Sequence, residues 1–205
     1  MTAALDALAS GAASILARPL TGGELESFDK YLKILQKWQK AQRLVGSTEP
    51  RWIVENLFLD SLLFTRVLPA YVRSLADVGS GAGLPGIPLK IVRPDMRVAL
   101  IESRAKRASF LSAAIRELGL RDVEVLAGRV EELVVARRQA FDAAVMRCAG
   151  DFHRIARTVA VLVMPHGPVI ASGPPKDRRL EVGEWIEVAG AHPGTKRRFA
   201  IYRSP

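Results

Sequence analysis

Ser74-Leu75-Ala76-Asp77-Val78-Gly79-Ser80-Gly81-Ala82-Gly83-Leu84-Pro85-Gly86 is the stretch on which the reading of this chain turns. A short apolar run predicts a strand over 74–78. Three glycines follow at alternate positions, then a proline that opens a helical pattern over 85–92. Glycines at this spacing let the chain turn sharply out of a strand and bring its backbone against a ligand. The N–H groups of the turn and of the helix after it are expected to face an incoming polar group. Asp77 stands near the strand end, where an apolar side chain is the default.

Two ligand classes compete for this turn. The pattern Asp77-x-Gly79-x-Gly81-x-Gly83 resembles motif I of S-adenosylmethionine-dependent methyltransferases with a Rossmann-like fold. Gly81-Ala82-Gly83-Leu84-Pro85-Gly86 also fits the dinucleotide pattern G-x-G-x-x-G, with Glu102 about 20 residues further on. Asp77 argues against a nicotinamide or flavin, because the dinucleotide strand needs an apolar residue there. Pro85 argues the same way, since it stiffens the segment where a diphosphate needs free N–H donors. A nucleoside without a diphosphate suits the turn better. The bland alternative is a glycine-rich turn with no ligand.

Composition sets the frame. The chain has 205 residues, 49% of them apolar and 25% charged, which suits one α/β domain over 1–205 with its own core. Cys148 is the only cysteine, so an intramolecular disulfide and a cysteine-based metal site are excluded. The apolar runs fall short of the roughly 20 residues of a membrane span. The segment 1–20 lacks a basic start, so no signal peptide is read and a cytoplasmic location is expected. Thirty Lys and Arg against 21 Asp and Glu give a net charge of +9, which favours polyanions, RNA or a ribosomal surface first. A general basic bias of composition is the alternative.

Residues 1–23 read as a poorly ordered lead-in, and 24–70 as a helical cap ahead of a core over 71–205. An amphipathic helix over 24–44 places Phe28, Tyr31, Leu32, Leu35 and Trp38 on one face and Lys30, Lys33, Lys37 and Lys40 on another. That second face is either a solvated surface or a phosphate contact. A second helix over 51–68 presents Trp52, Leu59, Leu62 and Leu63. Strands are then expected over 98–102, 123–126, 141–146 and 168–172. They alternate with helices over 106–118, 130–138 and 152–164, and Gly119 suits the C′ position of the first of these. This βαβα series predicts a mostly parallel, doubly wound sheet with its ligand site at the strand C-termini. After Pro174-Pro175 the alternation changes, and 185–188 with 199–202 read as an antiparallel C-terminal hairpin, the last two of seven strands.

Glu102 ends the second strand beside the glycine turn, where a carboxylate accepts hydrogen bonds from both hydroxyls of a ribose. It is otherwise an exposed strand-end acid or a partner for Lys106. At the next strand end, 127–132 offers backbone N–H groups to an adenine edge, with Val130 against the ring. Alternatively, Glu131 and Glu132 are stabilising acids in a helix first turn. Arg147 closes the fourth strand. It contacts a substrate phosphate, orients the base or the cofactor, or pairs with Asp142 or Asp77. His153, His166 and His192 show no ligand spacing, so no metal is expected. Ser80, Ser103 and Ser172 lack a nucleophile elbow, which sets hydrolase chemistry aside.

Taken together, Asp77 to Leu89, Arg93-Pro94-Asp95, Glu102 to Arg107, Glu117 to Leu120 and Arg129-Val130-Glu131-Glu132 resemble one family closely. So do Leu59-Asp60-Ser61 and Tyr31-x-x-x-Leu35-x-x-Trp38. The chain is similar, over roughly 28–172, to the bacterial small-subunit (16S) ribosomal RNA guanine-N7 methyltransferases, also called the glucose-inhibited division protein B family. The resemblance implies a Rossmann-like methyltransferase fold, S-adenosyl-L-methionine as cofactor, and ribosomal RNA or the small subunit as partner. A monomer without membrane association is expected. Carried over by position, the cofactor site falls on Gly79, Leu84, Val130, Glu131 and Arg147, with Glu102 as the strand-two acid. Gly81, Gly83 and Ser103 complete the set, and Arg147 is also the candidate catalytic residue. The substrate half departs from the pattern. Arg43 replaces the usual Asn, Asn56-Leu57 the usual Arg-His, Met146 and Cys148 the residues flanking Arg147, and Ser172 a common Lys. A small-molecule methyltransferase and a non-catalytic RNA-binding or ribosome-assembly factor are the alternatives.

Overall fold

The apolar run that precedes the glycine turn is strand β1 (Ser74–Val78), buried along its whole length at the centre of the sheet. The computed structural model describes residues 3–147, 152–173 and 180–205, apart from the His153 side chain; Cys148, Pro174 and Pro175 lie outside them. Around β1 are β2 (Arg97–Glu102), β3 (Val123–Ala127), β4 (Ala143–Arg147), β5 (Pro168–Ser172), β6 (Glu184–Ala189) and β7 (Lys196–Arg203). Among the described residues they form one seven-stranded sheet in the order β3-β2-β1-β4-β5-β7-β6. β1 to β5 run parallel, and the β6–β7 hairpin is antiparallel, with β7 against β5 and β6 at the edge. The hairpin is where the sequence places it. An all-parallel dinucleotide sheet ordered 3-2-1-4-5-6 has no such reversed strand inserted.

Alternate residues of each strand feed opposite layers, as the twofold period of a strand requires. Leu75, Leu100, Val145, Ile170 and Ile201 face one apolar cluster, which also holds the N-terminal helices α1 (Ala3–Leu16) and α2 (Gly22–Gln39), together with α5 (Gly86–Val92) and α6 (Ala105–Leu118). Ala76, Ala99, Ile101, Met146 and Ala171 face the other, under α7 (Val130–Leu133) and α8 (Phe152–Ala160). In α2, Phe28, Tyr31, Leu32 and Leu35 are buried, with Trp38 half-buried and edge-on to Phe110. Thr21 caps α2 in a capping box with Glu24. Gly119 ends α6 in the left-handed conformation, φ +67°.

Three expectations are corrected. The segment 1–23 is not a poorly ordered lead-in: α1 buries Ala4, Leu8, Ala12 and Ile15 as one stripe. Small side chains hid that stripe, and they serve close packing, since a Cβ on Gly11 would lie 2.5 Å from Leu59 Cδ1. The single helix expected over 51–68 is a composite: α3 (Pro50–Ile53), a π turn (Val54–Phe58), α4 (Leu59–Leu62) and a 3₁₀ turn (Leu63–Arg66). Leu57, Phe58 and Leu59 are consecutive and all buried, more than one stripe of a regular helix takes in. The helix expected over 130–138 stops at Leu133, where β-branched Val134 and Val135 lower helix propensity.

Candidate active site

The glycine turn leaves β1 at its C-terminal end, and its backbone is largely self-satisfied. The N–H groups of Gly79 and Ser80 donate to the Ile101 carbonyl of β2, at 2.9 and 3.1 Å. Those of Gly83 and Leu84 donate to the Ser80 carbonyl. Gly81 donates to Glu102 Oε2 at 2.9 Å, and Gly86 to Asp77 Oδ2 at 3.0 Å. Pro85 has no N–H to give. The expectation that these donors face a ligand is therefore corrected, because nearly all are taken inside the turn. What the turn offers instead is space. Gly79, at φ +73°, has nothing within 4 Å of where a Cβ would stand, so a ligand can approach the main chain there.

That space opens into a cleft of about 670 Å³. Of the expected residues, the cleft gathers Gly79, Ser103, Val130 and Glu131, from β1, β2 and the β3–α7 junction. Val78, Ile101 and Ile155 add apolar wall, and Arg104, Gly128, Arg129 and Glu132 add polar rim. Sequence reasoning missed Ile155 and Arg104. Ile155 comes from α8, more than 50 positions from β2, and no local pattern announces it. The remaining expected residues stand back from this lining. Gly81 is at the turn's shoulder. Gly83 and Leu84 are buried behind it, where a Cβ on Gly83 would meet Ile87 Cδ1 at 2.4 Å. Glu102 is buried and binds backbone through both oxygens, Oε2 accepting from Gly81 and Oε1 from Arg104 at 2.8 Å.

Asp77 organises the turn from beneath. It is fully buried, and Oδ1 has no hydrogen-bond partner among the described residues while Oδ2 holds Gly86. Burial pushes its carboxyl up to about 7, against the pull of the Gly86 N–H, the Ser80 hydroxyl and the Arg147 charge. From above, the Tyr31 hydroxyl of α2 donates to the Ala82 carbonyl, and its ring stacks on Phe58 at 5.1 Å. The helical cap therefore grips the turn directly.

Arg147 ends β4 and turns towards the cap. Its Nη2 lies 3.3 Å from Asp60 Oδ2 in α4 and donates to the Asn56 carbonyl at 3.2 Å. The ion pair is with Asp60, not with Asp142 or Asp77 as the sequence suggested. On the exposed face of α2, Lys33 pairs with Asp29 at 2.6 Å and Lys37 reaches Glu117 at 4.0 Å. Among the described residues no group of three His, Cys, Asp or Glu is placed to hold a metal, and no helix is long and apolar enough to cross a membrane.

A sheet with its last strand reversed, a cleft at the strand C-termini and a glycine turn with an acid beneath it define a Rossmann-like methyltransferase. The likeness extends to cofactor-bound Rv0187 from MTB, with a TM-score of 0.58 at 14% identity over 87% of this chain and 89% of that one. The chain belongs to the rRNA small subunit methyltransferase G family, GidB, whose profile matches residues 24–175. It is 40% identical over 152 residues to the ribosomal RNA small subunit methyltransferase G of Roseiflexus sp. (strain RS-1), which covers 72% of this chain and 64% of that protein. The protein of the same name from Clostridium botulinum (strain Loch Maree / Type A3) is 34% identical over 168 residues, 80% of this chain and 70% of that one.

The cofactor of this class is S-adenosylmethionine, and the residues present fit it. The turn has few N–H donors left for a diphosphate, and the Glu102 carboxyl buried behind it disfavours a polyanion. The open face of Gly79 admits close approach, and Val130 and Ile155 supply apolar wall for a base.

Proposed function

We propose that this protein transfers a methyl group from S-adenosylmethionine to N7 of a guanosine in 16S ribosomal RNA. The observation that carries the reading is the cleft at Gly79, lined by Ser103, Val130 and Glu131 and backed by two carboxylates, in a chain of this family. Gly79 and Ser103 would border the sugar and amino-acid portions of the cofactor, with Glu102 within reach of the ribose through the second lone pairs of its oxygens. Val130 would pack on the adenine, and Glu131 would lie at its edge. When bound, the cofactor supplies an electrophilic methyl on a sulfonium.

Guanine N7 carries a free lone pair, so it would take the methyl without first losing a proton. The positive charge would pass with the methyl, from the sulfonium to the 7-methylguanine ring. A general base is unnecessary, and the task of the chain is alignment of N7 with the methyl. Arg147, at the end of β4 beside β1, would orient the RNA, and the net charge of +9 would draw the polyanion in. The protein is expected to act as a monomer in the cytoplasm.

The test is incubation with methyl-labelled S-adenosylmethionine and 30S subunits from a strain lacking this gene, followed by nucleoside digestion and mass spectrometry. Label in 7-methylguanosine is the expected result. Label in another nucleoside, or none while calorimetry detects cofactor binding, overturns the acceptor. Arg147→Ala is expected to lower kcat/KM about a hundredfold. If both cofactor affinity and methylation survive that change, the role given to Arg147 is wrong.

A further inference from the structure

Asp60 is shared between two arginines. Besides Arg147, Arg197 of β7 places Nε 2.8 Å from Asp60 Oδ1 and Nη2 3.4 Å from Oδ2. Arg197 also donates from Nη1 to the Gly173 carbonyl at 3.0 Å, just past the end of β5. Arg147 is the register partner of Ser172 on β5, so both guanidiniums sit over the C-terminal ends of neighbouring strands, on the ligand side of the sheet. Each arginine side chain is 25% exposed, so part of each remains open to solvent. The bonds Arg147 makes to described residues all run through Nη2, so no described residue takes its Nε and Nη1 hydrogens.

Two guanidiniums against one carboxylate leave one net positive charge. Side by side without Asp60 they would repel; with it they are held at a fixed separation, their forks anchored to the Asn56 and Gly173 carbonyls. One further negative charge neutralises the cluster, and two oxygens of that anion can meet two forks at once.

We infer that Arg147 and Arg197, clamped together by Asp60, form the subsite for a backbone phosphate of the RNA next to the target guanosine. The inference rests on RNA being the substrate. It gives Asp60 the role of positioning residue, acting on RNA through the two arginines. It also explains why an acid stands between two arginines, in a helix that follows a π turn: α4 carries the anchor, and the π turn carries the Asn56 carbonyl.

The experiment compares wild type, Arg197→Ala and Arg197→Lys in three measurements. These are the KM for 30S subunits in the methylation assay, the salt dependence of 30S binding, and the calorimetric affinity for S-adenosylmethionine. Arg197→Ala is expected to raise the KM about tenfold and to reduce the slope of log affinity on log salt by about 1, since one phosphate contact is lost. Arg197→Lys keeps the charge but not the fork, and should recover the slope with only part of the KM. Cofactor affinity should stay within about twofold of wild type, which also shows that the variants fold. An unchanged slope and KM in Arg197→Ala would reduce the cluster to a structural pin and overturn the inference. A tenfold loss of cofactor affinity would overturn it too, by making the bound anion the cofactor's own carboxylate. If wild type methylates no 30S guanosine, the proposed function fails, but the salt slope of 30S binding still decides this subsite.

Discussion

The two sides of the crevice are built on opposite plans. On the β1–β2 side, one contiguous stretch from Asp77 to Ile87, with Glu102, satisfies most of its hydrogen bonds internally and leaves open space at Gly79. On the β4–β5 side, Asp60, Arg147 and Arg197 come from the cap, the sheet and the hairpin, with 137 positions between Asp60 and Arg197. They present guanidinium edges that no described residue occupies, rather than space. A cofactor of fixed shape needs a rigid mould, and a local segment can set one. A polyanion needs fixed charge, which forks anchored on separate elements provide.

The comparison breaks most easily at Gly86. A Cβ there would lie 2.5 Å from Leu100 Cδ2 and 2.7 Å from Asp77 Oδ2, both buried. Gly86→Ala is expected to cost about 3 kcal/mol of stability by overpacking, and to weaken cofactor binding with it. Gly22→Ala, at the start of α2 with nothing within 4 Å of the new methyl, is the control and should change stability by under about 0.5 kcal/mol. Denaturant titration of both proteins decides. Equal stabilities would mean that the turn is not the rigid mould described.

Tyr31 tests whether the mould stands alone. Its hydroxyl donates from the cap to the Ala82 carbonyl inside the turn. Tyr31→Phe keeps the stacking on Phe58 but leaves a buried carbonyl without that donor, a cost of about 2 kcal/mol. A looser turn should also weaken S-adenosylmethionine binding several-fold in calorimetry. If stability falls and cofactor affinity does not, the cap supports the fold without shaping the site.

The same contrast explains what could be read from the sequence. Strands over 74–78 and 168–172 fall where the apolar runs place them, and Gly119 ends α6 in the left-handed conformation. Such signals are local, carried by period, turn residues and one glycine. Gly79 and Val130 could be proposed as site residues because each follows the end of a strand whose position was readable, whereas Glu131 came from the family resemblance; both routes reach residues that line the cleft. α1 was hidden because alanine and glycine carry little amphipathic signal. The π turn has no local sequence mark. Arg197, inside the run Lys196-Arg197-Arg198, is indistinguishable by pattern from its neighbours. Only the fold shows that Arg197 turns to Asp60, while Lys196 pairs with Glu187 and Arg198 lies over the Trp185 ring.

The last test is at Asp77, and it is a matter of pH. The folded carboxyl is pushed from 3.8 up to about 7 by burial, which outweighs the Gly86 N–H, the Ser80 hydroxyl and the Arg147 charge, while Glu102 adds to the rise. Between those two values the native state holds a proton that the unfolded chain has released. Stability therefore falls as pH rises through the window from about 4 to 7 and levels off above it. The drift from this one group is bounded by about 1.4 kcal/mol per pH unit. Asp77→Asn keeps an acceptor for Gly86 but cannot titrate. Melting temperatures of both proteins, taken without cofactor across this window, should show wild type declining relative to the variant with rising pH. A difference that stays flat from pH 4 to 7 would mean Asp77 is charged throughout. In that case the Gly86 N–H, the Ser80 hydroxyl and the Arg147 charge would outweigh burial, and the carboxyl would anchor this side of the crevice as an anion.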